Sequence, residues 1–357
     1  MTRTYIIAEA GVNHNGSLEM AKELVCVAKD AGADAVKFQT FKAENLVTKS
    51  AMQANYQIKN LGETTSQYKM LKNLELSYEE FIELNEYCRN LGIEFISTPF
   101  DFESVDFLLD DLNIGVAKIP SGELTNSPFI HYIATRKRKI ILSTGMATIQ
   151  EIHEALSIIS YGLSGRNEVF MKDVLDFYHT NEAKQLLEEN VILLHCTTEY
   201  PASLESINLR AIQTLRDEFN LRIGLSDHSA GIAVSTAAIA LGANVIEKHF
   251  TLDKKLEGPD HIASLEPQEL KELIKNIREV ELALGNGKKE PTAIEIQNRK
   301  ASRRSLVAKR SIEVGDIFTI NNLTVKRPGN GIVPSEFWNY IGKEATKPYS
   351  EDELIEE

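Results

Sequence analysis

The stretch Gly224–Phe250 reads GLSDHSAGIAVSTAAIALGANVIEKHF, and its reading decides the fold. Leu221–Leu225 and Asn244–Ile246 are short apolar runs, and each is soon followed by a histidine, His228 and His249. Between them Ala230–Gly242 has the small-residue composition of a tightly packed helix. A strand–helix–strand unit of this kind delivers an imidazole from the C-terminal end of each strand. Two imidazoles so placed can share a metal ion, whereas either alone is more often a hydrogen-bonded core residue.

The pattern repeats outward from there. Short apolar runs centred on Ile6, Val36, Phe95, Val116, Ile141, Leu193, Ile223 and Val245 are each followed by a helical segment. Ser17 and Ser77 are placed as N-caps, the second for a helix running to about Asn90. Further helices are expected over Phe102–Asp111, Ser127–Thr135, Thr148–Ser160, Ile207–Phe219 and Pro267–Leu284. Near-continuous apolar strands alternating with helices mean a parallel sheet covered by helices. Eight such units within about 285 residues predict an α/β fold closed as a (β/α)8 TIM barrel. An open doubly wound sheet is the alternative, but no GxGxxG follows the first strand. Residues 42–73 read as a polar, irregular insertion, and 161–190 as a charged, partly helical excursion without an assigned role.

Polar residues gather at the C-terminal ends of all eight runs: Glu9, Lys37, Gln39, Thr98, Lys118, Ser121, Ser143, Tyr200, Ser226, His228, Glu247 and His249. In a barrel these ends converge on the face that carries the active site. Strand period places Lys37 with Gln39, and Glu247 with His249, on common sides. Lys37 and Lys118 with nearby hydroxyls make an anion cradle suited to phosphate or carboxylate. A Schiff-base lysine is the rival reading of the same residues. His228 and His249, lacking a clear third protein ligand, suggest an open metal site that could polarise a carbonyl. Glu9 either moves a proton or binds a substrate hydroxyl, or it pairs with a lysine and is structural.

The formal charge of −13 argues against a nucleic-acid surface, and it requires the lysines to be gathered locally if the substrate is anionic. Cys26, Cys88 and Cys196 are far apart and form no CxxC, which fits free thiols in a reducing cytosol. No apolar run reaches membrane-spanning length and no signal-peptide pattern opens the chain, so a cytoplasmic protein without membrane partners is expected. Residues 286–302, NGKKEPTAIEIQNRKAS, read as a polar linker, and RRSLVAKRSIEVGD as a strand, a turn at Val314–Asp316 and more strand.

The motifs IAEAGVNHNGS (7–17), VKFQTFK (36–42), STPFD (97–101), KIPSGE (118–123), LSTGMATIQEI (142–152), HCTTEYPAS (195–203), GLSDHSAG (224–231), IEKHFTLDK (246–254) and GPDHIASLEP (258–267) resemble the bacterial sialic acid synthases, the NeuB family. The resemblance continues through RRSLVAK (303–309) and TVKRPGNGI (324–332). It implies a (β/α)8 catalytic barrel over 1–285, a linker over 286–302 and an antifreeze-like SAF (β-clip) domain over 303–357, in a domain-swapped homodimer. It implies condensation of phosphoenolpyruvate with an N-acylated mannosamine-type sugar. N-acetylmannosamine, giving N-acetylneuraminate, is the first expectation. A 2,4-diacetamido-2,4,6-trideoxyhexose, giving legionaminate or pseudaminate, is the alternative. A barrel aldolase and a non-catalytic sugar-binding or ice-binding protein are the readings from other classes.

The same resemblance makes His228 and His249 the ligands of a divalent metal, Mn2+ first and Mg2+ or Co2+ otherwise. It assigns Lys37, Thr98, Lys118, Ser121, Ser143 and Ser226 to phosphoenolpyruvate, and Glu9, Gln39, Tyr200 and Asp260 to the sugar side. Thr198, where some members have asparagine, is a further expected phosphate contact. Arg327 corresponds to the arginine that the partner's C-terminal domain lends to the sugar's N-acetyl group.

Overall fold

The computed structural model describes residues 3–54, 57, 58, 60, 65–166 and 168–356. The chain divides into two compact units, Met1–Gly285 and Asn286–Glu357. The first holds eight strands: β1 (Tyr5–Gly11), β2 (Ala35–Thr40), β3 (Glu94–Pro99), β4 (Val116–Ile119), β5 (Lys139–Ser143), β6 (Val191–Cys196), β7 (Arg222–Asp227) and β8 (Val245–His249). Pairing follows the order β3-β2-β1-β8-β7-β6-β5-β4, every described pair is parallel, and β3 and β4 lie beside each other to complete a nearly closed barrel.

Side-chain alternation explains why these strands are apolar on both faces. Ile6, Ala8, Val36, Phe38, Ala117, Leu193, Ile223 and Ile246 point outward and pack with the helices in the main core. Ile7, Ala35, Ile96, Ile141, Leu194 and Val245 form a separate inner layer. Gly224 belongs to that narrow inner space: a Cβ there would lie 2.4 Å from the Val245 carbonyl oxygen. Two residues further along the strands, the inner positions become Glu9, Lys37, Thr98, Lys118, Ser143, Ser226 and Glu247. The barrel is therefore aliphatic in its lower interior and charged at its C-terminal end.

The outer helices begin on local signals. Ser77 with Glu80, and Thr148 with Glu151, form reciprocal capping boxes, while Gly32 and Gly92 close helices in the left-handed conformation. Several expected segments differ. The helix expected over Ile207–Phe219 is split into Leu204–Ile207 and Ala211–Phe219, because Asn208 adopts positive φ. Phe102–Asp111 is helical, but its second half winds as a π-helix over Asp106–Asp111.

Residues 42–73 are not merely polar and irregular. They contain helices Ala43–Leu46 and Gln67–Leu74, and Met70 and Leu74 are buried with Val12 and Phe41. The 161–190 excursion supplies helices Met171–Tyr178 and Asn181–Asn190, whose Val174, Phe177, Ala183 and Leu187 join the main core. Among the described residues, no helix is long and apolar enough to cross a membrane.

The second unit has its own core of Leu306, Ala308, Ile312, Phe318, Leu323, Ala345, Tyr349 and Ile355. Its antiparallel pair is β9 (Ser305–Ala308) with β10 (Leu323–Lys326). Gly315 makes the expected turn at φ 91°. No regular strand follows it directly: Ile317 bridges Glu344, and extended pairing resumes at Leu323. The stretch read as a linker carries a helix, Ala293–Ser302, opened by a Thr292–Glu295 capping box.

His14 gives a pH prediction. Its Nδ1 accepts from the Gly16 amide at 3.1 Å, while Nε2 is buried without a partner among the described residues. Burial, reinforced by His261, pushes its pKa down to about 4. The unfolded chain takes up that proton near pH 6.5, so between those values the unfolded state binds more protons and stability rises with pH. Urea denaturation is expected to show His14 costing on the order of 1 kcal/mol per pH unit on acidification through this window. His14→Asn keeps an acceptor for Gly16 and should show a shallower slope; identical slopes would contradict the assignment.

Candidate active site

The C-terminal ends of the strands surround a cavity of about 310 Å3. Glu9, Lys37, Gln39, Thr98, Lys118, Ser121, Ser143, Thr198, Tyr200, Ser226, His228, His249 and Asp260 all line it. Arg327 belongs to the second unit, where it is exposed.

The floor is a buried charge network. Lys37 Nζ lies 2.6 Å from Glu9 Oε2 and 3.6 Å from Glu247 Oε2, and it donates to Thr98 Oγ1 at 3.1 Å. Lys118 Nζ donates to Ser143 Oγ at 2.8 Å and lies 3.6 Å from Glu247 Oε1. Ser226 Oγ donates to the same Glu247 oxygen at 2.7 Å. All four charged side chains are at most 6% exposed, so they cannot be read as solvated strand ends.

Their environments separate the two carboxylates. Burial pushes Glu9 up to about 7, outweighing the attraction of Lys37, and the charge of Glu247 adds to the rise. Burial acts the same way on Glu247, but Lys118 and Lys37 together override it and hold the group at about 2. Glu247 is thus the standing counter-ion of both lysines, and Glu9 is the carboxylate able to carry a proton near neutrality. Burial also lowers Lys118 and raises Asp260 to about 6.

The two histidine rings lie with centroids 5.5 Å apart. Tyr200 stacks on His228 at 4.0 Å and meets His249 edge-on at 5.7 Å. His228 Nδ1 is 2.7 Å from the Thr197 carbonyl oxygen. A carbonyl only accepts, so the proton sits on Nδ1, and in the neutral ring Nε2 carries the lone pair. His249 Nδ1 is buried without a hydrogen-bond partner among the described residues, and burial holds this ring well below its ordinary pKa. No cluster of three or more His, Cys, Asp or Glu suited to a metal occurs among the described residues. His228 Nε2, which meets Ser226 Oγ at 3.4 Å, and the orphaned His249 Nδ1 are imidazole nitrogens of the kind that hold a divalent ion, and such a pair would leave several positions open.

Sequence reasoning placed Glu247 at a strand end but gave it no role, because its importance comes from two lysines on other strands. It also missed Cys196, a cavity-lining thiol whose Sγ lies 3.8 Å from His228 Nδ1. The larger omission is a set of apolar residues: Val12, Leu46, Val47, Met70, Leu71 and Leu74 line the same cavity as the charged groups. The spacing of Met70, Leu71 and Leu74 was the available signal, since these positions share one face of a helix.

A polar mouth of this kind on a (β/α)8 barrel defines a barrel enzyme. Residues 24–289 match the NeuB family and residues 303–357 the SAF domain. An N,N'-diacetyllegionaminic acid synthase of Campylobacter jejuni is 50% identical over 357 residues, 100% of both chains. Another, from Legionella pneumophila, is 48% identical over 338 residues, 95% of this chain and 89% of its own. The crystal structure of an N-acetylneuraminic acid (sialic acid) synthetase from Leptospira borgpetersenii in complex with citrate matches with TM-score 0.67 and 33% identity over 83% of this chain and 90% of that chain. The chain belongs to the NeuB family, whose members are synthases of sialic acid-type sugars.

The counter-ion role of Glu247 can be measured directly. Glu247→Gln leaves Lys118 without a carboxylate within ion-pair distance, and breaking a buried pair costs about 3 kcal/mol or more. Urea denaturation at neutral pH should show that loss, shrinking as pH rises and Lys118 releases its proton. A variant as stable as the wild type would exclude the role.

Proposed function

We propose that this chain condenses phosphoenolpyruvate with a 2,4-diacetamido-2,4,6-trideoxyhexose, giving N,N'-diacetyllegionaminate and phosphate. One observation carries this choice of sugar: the aliphatic wall that lines the cavity together with the lysines. A sugar with a C6 methyl and two acetyl groups has apolar surface to bury there. N-acetylmannosamine would set its C6 hydroxyl against the same wall, at a desolvation cost. The two legionaminic acid synthases at 50% and 48% identity support the same reading over the N-acetylneuraminate expectation.

Lys37 and Lys118, with Thr98, Ser121, Ser143, Thr198 and Ser226, hold the carboxylate and phosphate of phosphoenolpyruvate. Glu247 offsets part of the lysine charge in the empty cradle. Lys37 is held charged by Glu247 and Glu9, which suits an anion cradle rather than a Schiff base at that residue. Gln39, Tyr200 and Asp260 take the sugar, and holding both substrates in one cavity removes much of the entropic barrier to their meeting. Phosphoenolpyruvate C3 bonds to the sugar's aldehyde carbon, water adds at C2, and the C–O bond to phosphate then breaks. Glu9 is placed to hold or pass a proton during this sequence. His228 and His249 would hold a divalent ion, Mn2+ by preference, which supplies Lewis acidity toward the aldehyde oxygen. Arg327 is assigned to the N-acyl group of sugar bound by a partner subunit in a domain-swapped dimer.

Phosphate release with each sugar, assayed side by side with phosphoenolpyruvate and Mn2+, tests this. The diacetamido-trideoxyhexose is expected to exceed N-acetylmannosamine in kcat/KM by about 100-fold, the range available to pocket discrimination. Equal turnover of the two would overturn the choice of sugar. Leu71→Asn, which makes the wall polar, should reduce that ratio about tenfold. His249→Ala is expected to release no phosphate at any Mn2+ concentration, and wild-type turnover would remove the metal role.

A further inference from the structure

Asp227 and Lys248 stand one residue before His228 and His249. They are direct partners across the β7–β8 ladder. Alternation sends their neighbours Ser226, His228, Glu247 and His249 into the cavity, and sends these two outward, into the layer between strands and helices. Each side chain is only 1% exposed, with Lys248 Nζ 3.0 Å from Asp227 Oδ2. Lys248 Nζ also donates to the Ser229 carbonyl at 2.5 Å. Asp227 Oδ1 accepts from the Ser229 amide at 2.8 Å and its hydroxyl at 2.7 Å, and Oδ2 accepts from Ser235 Oγ at 2.6 Å.

The pair therefore ties three things together: the end of β7, the end of β8, and the backbone just past His228. That backbone is held from the other side as well, since the His228 carbonyl accepts from the Ala202 amide at 2.8 Å. Stability alone does not explain such a pair. The outward positions two residues earlier, Leu225 and Ile246, are fully buried aliphatics. Apolar replacement of a buried ion pair is often neutral or stabilising. Aliphatic side chains, however, could not bind both the amide and the carbonyl of Ser229. What the ion pair adds is geometry.

We propose that the buried Asp227–Lys248 pair is a clamp that fixes the His228 and His249 imidazoles relative to each other, and thereby sets the affinity of the two-histidine site for a divalent ion. Both residues are positioning residues; neither lines the cavity. The affinity part rests on the metal reading given above, whereas the effect on imidazole orientation does not.

The test uses the full-length chain and the double variant D227L/K248M, which removes both charges together and leaves neither unpaired. Mn2+ binding is followed by electron paramagnetic resonance of the free ion. Long-range 1H–15N spectra of the metal-free protein report the His228 tautomer. The variant is expected to bind Mn2+ about 10–100-fold more weakly, as for loss of an outer-shell partner, with a melting temperature near that of the wild type. Its His228 signal should move from a single Nδ1–H tautomer to an average. A folded variant with wild-type affinity and an unchanged His228 signal overturns the clamp. A wild-type chain that binds no Mn2+ overturns the metal reading instead; the imidazole spectrum then decides the clamp alone, an altered tautomer upholding it and an unchanged one refuting it. D227N/K248M, whose asparagine can still accept from Ser229, is measured identically if the first variant does not fold.

Discussion

Four charged side chains, Glu9, Lys37, Lys118 and Glu247, are buried together at the end of a barrel whose remaining inner layer is aliphatic. Removing such groups from water is costly, and the arrangement persists only because opposite charges and hydroxyls meet at hydrogen-bonding distance. That constraint reaches far into the rest of the structure. It requires strands β1, β2, β4 and β8 to keep their register, because a slip of one residue would turn every one of these groups toward the aliphatic outer layer. It also resolves the conflict between an anionic substrate and a chain of net charge −13. The lysines are concentrated where solvent does not screen them, and the acidic excess elsewhere does not set the local field.

The strands carry two jobs on alternate residues. Inward positions pass from aliphatic to charged over two residues, which takes the barrel from packed core to reaction chamber without any change of backbone. On β7 and β8 the outward positions are aliphatic until Asp227 and Lys248, where the alternation admits a second buried ion pair behind the two histidines. Leu46, Met70 and Leu71, from within residues 42–73, add apolar side chains to the lining of the chamber. Their contribution to selectivity is of a different kind from the floor's: the floor distinguishes charge, and the wall distinguishes how much apolar surface a sugar can bury.

Much of this was legible in the chain. Eight apolar runs alternating with helices gave the barrel, and the polar residues closing those runs line one cavity. Local signals such as Ser77 with Glu80 and Thr148 with Glu151 marked helix starts. Less was legible where structure is set by single backbone conformations or by distant partners. Asn208 divides an otherwise periodic helix, and the helices within 42–73 and 286–302 sit in stretches whose polarity hid them.

What the sequence by itself determined is the fold class and the gathering of polar residues at the strand ends, because strand and helix periodicities are local properties written in consecutive residues. What only the tertiary structure decided is the charge state and division of labour inside the site. Glu9 and Glu247 look alike along the chain. They differ because one faces a single close lysine in a dry setting, whereas the other is shared between two lysines and a serine from three further strands. Electrostatic environment depends on distances between residues far apart in sequence, and those distances exist only once the barrel has closed.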